Sequence, residues 1–441
     1  MKFDEALAYL LSLGHEMLAM KLGLANVTRL LHTLDEPQRS FPSVQIAGTN
    51  GKGSTAAMLA RICRAAGIRT GLYTSPHLIS ITERIRVNDA DISREDFART
   101  ASAVRTAAER VERETGALPT FFEQVTAIAL AHFRDAGVEL AVLETGLGGR
   151  LDATTAARSD VVAITPVALD HQEYLGHTLA EIAAEKAAII RPGVRAVVVA
   201  PQAPDAAAII EKRSLECGVQ ARLASEAHDV AGTCEGGRLR IHVKTSTHDY
   251  GEVCLALRGR HQIVNASVAV ELAETLREEG FSIMPSHVVE GLERAEHEGR
   301  LELDEGQSPH VLFDGAHNAA GARALRDYLD EFVREPLTLV FGAMREKALD
   351  EIGAILFPAA RRLILTRPRN PRAAFVDELI RAVPATSSSS TITVAPSVAD
   401  ALVMARVQTP PLGLVCITGS LYLVGEAKSI LMNGRRSYVK A

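Results

Sequence analysis

The chain has 441 residues, which at roughly 150 residues per domain is material for two to three domains and a sizeable core. With 47% hydrophobic and 23% charged residues it falls in the globular range, which excludes global disorder and a fibrous or low-complexity assembly. A formal charge of -6 argues against a nucleic-acid partner, and 12 Phe, 7 Tyr and no Trp leave little for an aromatic platform that stacks single strands.

The cysteines at 63, 217, 234, 254 and 416 share no CxxC or other metal-ligand spacing and are expected to be reduced thiols of a cytoplasmic protein. No apolar run approaches the roughly 18 residues that a membrane span requires. Asp4, Glu5, His15 and Glu16 stand where a signal peptide would be apolar, so neither export nor a membrane partner is expected.

In chain order, residues 3 to 32 read as helical, with Leu7, Leu10, Leu11 and Leu13 on an apolar face and Gly23 and Pro37 as punctuation. A short strand, Val44 to Ala47, leads into the glycine-rich turn Gly48 to Gly53. A helix over Ser54 to Ala66 follows and ends at Gly67, where a left-handed cap belongs. Further strands are expected at Leu140 to Leu143, Val161 to Ile164 and Ala196 to Val199, separated by Ala-rich helices, which implies a mainly parallel sheet. Between about 217 and 257 the alternation of Leu239, Ile241 and Val243 predicts an antiparallel excursion. A second αβ series has strands at Val311 to Phe313, Leu337 to Phe341, Leu363 to Leu365, Thr391 to Val394 and Leu414 to Thr418. The fold class is thus α/β: an N-terminal P-loop ATPase-like domain over 1–297 and a smaller doubly wound domain over 298–441, joined in the polar stretch Glu296 to Gly299. Ser387 to Ser390 reads as a solvated loop.

The strongest local signal is Gly48-Thr49-Asn50-Gly51-Lys52-Gly53-Ser54-Thr55 between a strand and a helix. Glycines let backbone N–H groups face a phosphate, the helix start adds positive charge, Lys52 can reach the β- and γ-phosphates and Ser54 can approach Mg²⁺. The spacing departs from the common P-loop, because Gly53 separates Lys52 from Ser54. Glu144 ends an apolar strand, where open α/β sheets bind ligands, and Asp314 does the same in the second series. Without wider context, His171 reads as a structural histidine and Lys186 as a solvated helix lysine.

These segments, together with Tyr73-Thr74-Ser75-Pro76-His77-Leu78, Thr120-Phe121-Phe122-Glu123, Glu144 to Thr154, Leu169-Asp170-His171, Glu185-Lys186-Ala187, Gly259-Arg260-His261-Gln262, Gly299-Arg300-Leu301-Glu302, Asp314-Gly315-Ala316-His317-Asn318 and Thr418-Gly419-Ser420-Leu421-Tyr422, resemble the folylpolyglutamate synthase/dihydrofolate synthase family within the Mur ligase superfamily. The resemblance runs in order along nearly the whole chain. It implies an ATP-dependent ligase that adds L-glutamate to dihydropteroate or a reduced folate through an acyl phosphate. ATP is the co-substrate, two Mg²⁺ ions the cofactors, and the protein a monomer.

It further implies Lys52, His171 and Lys186 as catalytic. Gly51, Lys52, Gly53, Ser54 and Thr55 would hold ATP with Asn265 at the adenine, Arg300 at the phosphates, Asp314 at the ribose, and His317. Ser75, Glu144 and His171 would hold metal, with Ser54 and, once carbamylated by CO₂, Lys186. Thr49, Asn50, Thr120, Phe122, Glu123, Leu151 and Asp152 would face the pterin substrate. Thr155, Ala188, Glu298 and Arg345-Glu346-Lys347 depart from the family pattern. A Mur-type ligase for a cell-wall precursor and a non-catalytic P-loop nucleotide binder are the alternatives; the Ser-Pro-His-Leu and Thr-Phe-Phe-Glu segments stand against the first, and the second α/β domain against the other.

Overall fold

In the computed structural model, which describes residues 1–14, 23–224, 230–385 and 391–438, the β-branched runs form three separate sheets. The first contains β1 (Ser43–Ala47), β2 (Thr70–Tyr73), β3 (Ile85–Val87), β4 (Ala90–Asp91), β5 (Leu140–Glu144), β6 (Val161–Ile164), β7 (Ala196–Val199) and β8 (Ala221–Leu223). Their order is β4-β3-β2-β5-β1-β6-β7-β8, parallel from β2 to β8, with β3 and β4 antiparallel at one edge. Strands β1, β5 and β6 are buried along their whole length, as a parallel strand covered on both faces must be. On one face lie the helices Lys52–Ala65, His261–Glu278 and Pro285–Arg294, with Leu59, Ile62, Leu272 and Leu292 in a common core. Against the other pack Arg94–Thr115 and Phe121–Asp135, joined by Leu10, Leu30 and Leu31 of the N-terminal helices Phe3–Ser12 and Ala25–Thr33.

The predicted lead-in helix is therefore two helices. His15 and Glu16 lie outside the described residues, as does Ser387 to Ser390. The helix after the glycine turn begins at Lys52 rather than Ser54, and Gly67 has the expected left-handed φ of 79°. The antiparallel excursion is β9 (Val230–Cys234), β10 (Arg238–Lys244) and β11 (Asp249–Cys254), whose Leu239, Ile241 and Val253 enter the first core. Here the cysteine expectation is corrected. Cys234 ends β9 and Cys254 ends β11, on opposite sides of β10, and the two form a disulfide with Cα atoms 6.3 Å apart; Cys63, Cys217 and Cys416 are free. The contact joins the ends of two strands that do not pair with each other, and a spacing of 20 residues does not announce it.

The third sheet has β12 (Glu302–Asp304), β13 (His310–Phe313), β14 (Leu337–Phe341), β15 (Arg362–Leu365), β16 (Thr391–Val394) and β17 (Leu414–Thr418) in the order β12-β13-β17-β14-β15-β16. Only β12 is antiparallel, so the C-terminal domain is α/β with a mixed sheet. Among the described residues no helix is long and apolar enough to cross a membrane.

Candidate active site

The site is assembled from loops that leave the C-terminal ends of parallel strands in both large sheets, the edge where strand direction leaves loops free to take ligands. From β1 the chain turns through Gly48 and Gly51 into the helix at Lys52. Gly51 has φ 87°, and a Cβ there would run into the Asn265 side chain. A Cβ on Gly48 would meet Thr165 at the end of β6. The turn is thus held between a neighbouring strand and the helix His261–Glu278. Lys52 Nζ donates to the Thr49 carbonyl at 3.3 Å, Ser54 Oγ accepts from Gln262 Nε2 at 3.3 Å, and Thr55 Oγ1 donates to the Asn265 carbonyl at 3.4 Å. Asn265 Nδ2 donates to Gln262 Oε1 at 2.8 Å.

Beside this loop stands Glu144, paired in register with Ile46. Its carboxylate accepts the Ser75 N–H at 3.1 Å. Burial pushes its proton affinity up, against the Lys52 ammonium, the Ser75 N–H and Arg300. His171 follows β6 in a left-handed conformation with φ 50°, and burial pushes its imidazole down to about 3. It is therefore neutral near pH 7, with a nitrogen lone pair available.

Lys186 departs from the solvated reading. The helix Leu179–Ala187 turns it inward, leaves it 4% exposed, and sets its Nζ to donate to the Gly48 carbonyl at 2.7 Å. Burial, reinforced by the Lys52 charge, lowers its amine to about 7.

Residues Gly48 to Ser54, Ser75, Glu144, His171, Lys186, Gln262 and Asn265 line a cavity of about 330 Å³ with Arg300, Asp314 and His317, while Thr55 is buried behind the loop. Asp314 accepts from the N–H groups of Leu301 at 3.0 Å and Ala316 at 2.9 Å, and burial raises its proton affinity. His317 Nδ1 donates to the Gly315 carbonyl at 2.7 Å.

A second cavity, of about 230 Å³, shares Ser75, Gly146, Leu147, His171, His317 and Leu421 with the first and continues to Thr120, Phe122, Glu123, Leu151 and Asp152. Thr120 and Glu123 cap the helix Phe121–Asp135 reciprocally, the Glu123 carboxylate accepting the Thr120 N–H at 2.7 Å. Asp152 is also committed locally: it accepts from Leu147 N–H at 2.9 Å, Thr154 N–H at 3.0 Å and Thr154 Oγ1 at 2.5 Å. Thr155 supports the loop from beneath, donating to the Gly149 carbonyl at 2.7 Å and accepting from Gln45 at 2.8 Å. Thr49 and Asn50 sit in the phosphate-loop cavity, apart from the other residues assigned to the pterin.

Contacts across the cleft escaped the sequence reading. Asp170 accepts from Lys347 Nζ at 2.5 Å and from Asn318 Nδ2 at 2.9 Å, and Asn318 also donates to Asn50 at 3.1 Å. Burial works against the Asp170 charge, but His317 and Lys347 outweigh it and hold the carboxyl below its ordinary range. Lys347 stands six residues beyond the end of β14, in the loop whose Arg345-Glu346-Lys347 departs from the family pattern, and that departure was the one available signal. Among the described residues no group of three His, Cys, Asp or Glu side chains is disposed to hold a metal. A cation here would need hydroxyl, carbamate or phosphate oxygens besides Glu144 and His171. The donors fit magnesium in kind: a buried carboxylate, a neutral imidazole and the hydroxyls of Ser75 and Ser54.

A phosphate loop facing a second α/β sheet across a shared cleft is the construction of a Mur ligase. The Mur ligase middle domain matches residues 46–273 and the Mur ligase glutamate ligase domain residues 299–421. A Bacillus subtilis dihydrofolate synthase/folylpolyglutamate synthase is 31% identical, covering 95% of this chain and 97% of its own. A Haloferax volcanii probable bifunctional folylpolyglutamate synthase/dihydropteroate synthase is 35% identical over 97% of this chain, which spans only 50% of that protein's length. Among solved structures, Mycobacterium tuberculosis folylpolyglutamate synthase complexed with ADP and AMPPCP matches with a TM-score of 0.87 at 31% identity, covering 96% of this chain and 98% of that one. E. coli FolC in complex with DHPP and ADP matches with a TM-score of 0.86 at 26% identity over 99% of each chain. The chain belongs to the folylpolyglutamate synthase/dihydrofolate synthase family of ligases, within the Mur ligase superfamily.

Proposed function

We propose that this protein joins L-glutamate to dihydropteroate or a reduced folate, with ATP converted to ADP and phosphate. The observation that carries the reading is the pair of contiguous cavities, one built on the phosphate loop and the other edged by Phe122 and Leu151, meeting at Ser75, His171 and His317. A carboxylate oxygen of the pterin substrate attacks the γ-phosphorus of ATP, and ADP leaves. The amine of glutamate then attacks the acyl phosphate carbon, phosphate departs, and the amine loses a proton as the amide forms. Such a reaction depends on positioning and on neutralising phosphate charge. Lys52 and Arg300 supply that charge, Asp314 meets the ribose, Asn265 the adenine, and the 120–123 and 151–152 segments the pterin.

Two Mg²⁺ ions held by Ser75, Glu144, His171, Ser54 and carbamylated Lys186 would lower the charge of the triphosphate. Carbamylation requires the neutral amine, and the lowered affinity of Lys186 for its proton supplies it near pH 7. Lys186→Ala should be nearly inactive and partly rescued by acetate. We further assign residues 1–297 and 298–441 to the two domains, and read the protein as a cytoplasmic monomer.

The deciding experiment measures phosphate release with ATP, Mg²⁺ and glutamate, comparing dihydropteroate with tetrahydrofolate. Release that depends on either pterin and on glutamate is expected. ATP binding with no release for both pterins would overturn the reading in favour of a nucleotide binder.

A further inference from the structure

The segment that carries Arg300 crosses between the two domains in an unusual backbone conformation. Gly299 and the buried Leu301 on either side of it are both left-handed, with φ 68° and 46°. For a leucine this conformation is costly and persists only where the surroundings hold it. Some of those restraints are plain: the Gly299 carbonyl accepts the Gly315 N–H at 2.8 Å, and the Leu301 N–H donates to Asp314 at 3.0 Å. Another comes from far along the chain. Lys428, on the C-terminal helix Leu421–Tyr438, is 7% exposed and donates to Glu298 at 2.6 Å and to both oxygens of Glu302 at 2.7 Å. Glu302 in turn accepts the Gly299 N–H at 2.8 Å. The ammonium also lies 5.8 Å from the Phe313 ring centre, directly before Asp314. One buried cation therefore ties down both flanks of Arg300, whose own guanidinium makes no hydrogen bond or ion pair among the described residues and lines the nucleotide cavity.

We propose that Lys428 is a positioning residue for the nucleotide: by clamping Glu298 and Glu302 it holds the strained 299–301 turn and aims Arg300 at the phosphates. The inference rests on the reading that Arg300 meets those phosphates. Lys428 lines neither the nucleotide cavity nor the cavity that continues from it. It acts through the backbone on which the guanidinium is mounted, and a charge-assisted clamp of this burial is a stiff one.

The test is a double-mutant cycle read by ADP binding in the presence of Mg²⁺, with calorimetry on the full chain. Arg300→Ala should weaken ADP binding about tenfold or more, and Lys428→Met about five- to tenfold. The double variant should be no weaker than Arg300→Ala within about twofold, since residues acting through one another are not additive. Lys428→Arg should restore most of the affinity, and the KM for the pterin should stay unchanged in Lys428→Met while the KM for ATP rises. If Lys428→Met fails to fold, Glu298→Gln removes one clamp partner at a half-exposed position and should weaken ADP about two- to threefold, again only while Arg300 is present. Unchanged ADP binding in Arg300→Ala would overturn the assignment of Arg300 itself. A normal Arg300→Ala effect combined with additive or absent Lys428 and Glu298 effects would overturn the positioning role alone.

Discussion

Replacing Lys186 with methionine should make the protein more stable at low pH while abolishing turnover. Burial and the nearby Lys52 lower the Lys186 amine from the usual 10.5 to about 7. In the unfolded chain that amine keeps its proton to about pH 10.4. Between those two values the unfolded state binds more protons than the folded one, so wild-type stability rises with pH through the window; below about pH 7 both states are protonated and the full penalty is present. A shift of this size corresponds to about 4–5 kcal/mol at the acid end. Against it stands the hydrogen bond from Nζ to the Gly48 carbonyl, 2.7 Å long and of about 1–3 kcal/mol. Methionine fills similar volume and carries no charge. Lys186→Met should therefore exceed wild type by about 2 kcal/mol near pH 6, and that advantage should fall by about 3 kcal/mol, reversing sign, by about pH 9.5. Urea unfolding of protein freed of metal and bicarbonate, followed by circular dichroism at both pH values, measures the difference. A stability gap that does not change with pH would refute the reasoning, because it would mean that Lys186 keeps its proton in the fold.

Lys52→Ala should leave the circular dichroism spectrum intact while lowering kcat by about 3 kcal/mol of transition-state stabilisation, roughly a hundredfold, since it removes a cation from the phosphate loop. Near wild-type kinetics would place Lys52 outside the reaction. Glu144→Gln and His171→Ala should each raise the Mg²⁺ concentration required for half-maximal rate more than they weaken metal-free nucleotide binding, because neither replacement supplies the original donor. A magnesium titration identical to wild type would remove them from the metal site. Gly51→Ala should cost about 1–2 kcal/mol of stability through its positive φ and weaken nucleotide binding by pressing on Asn265; an unaltered unfolding midpoint would contradict that account.

Much of the scaffold was legible because its signals are local. The strand-turn-helix from Val44 to Ala66 needs only neighbouring residues: an apolar run, glycines where φ must be positive, and helix formers beyond. The runs at Val161, Leu337 and Leu414 became buried parallel strands for the same reason, since a strand covered on both faces has to be apolar throughout. Glu144 and Asp314 could be singled out by position, each standing at a strand's C-terminal end. What lay beyond reach depends on contacts between residues distant in the chain. Lys186 has the composition of an exposed helix lysine, and only the packing of its helix beneath Gly48 withdraws it from water and lowers its hold on a proton. Nothing near Asp170 announces Lys347, 177 positions away, and nothing near Arg300 announces Lys428. Likewise Cys234 and Cys254 meet only because the fold brings the ends of two strands that do not pair with each other into contact. A sequence specifies the period of each element and the conformational needs of each turn, whereas the charge state of a buried amine or carboxyl is set by whichever groups the fold brings within a few ångströms, and those pairings exist only once the sheets have closed on one another.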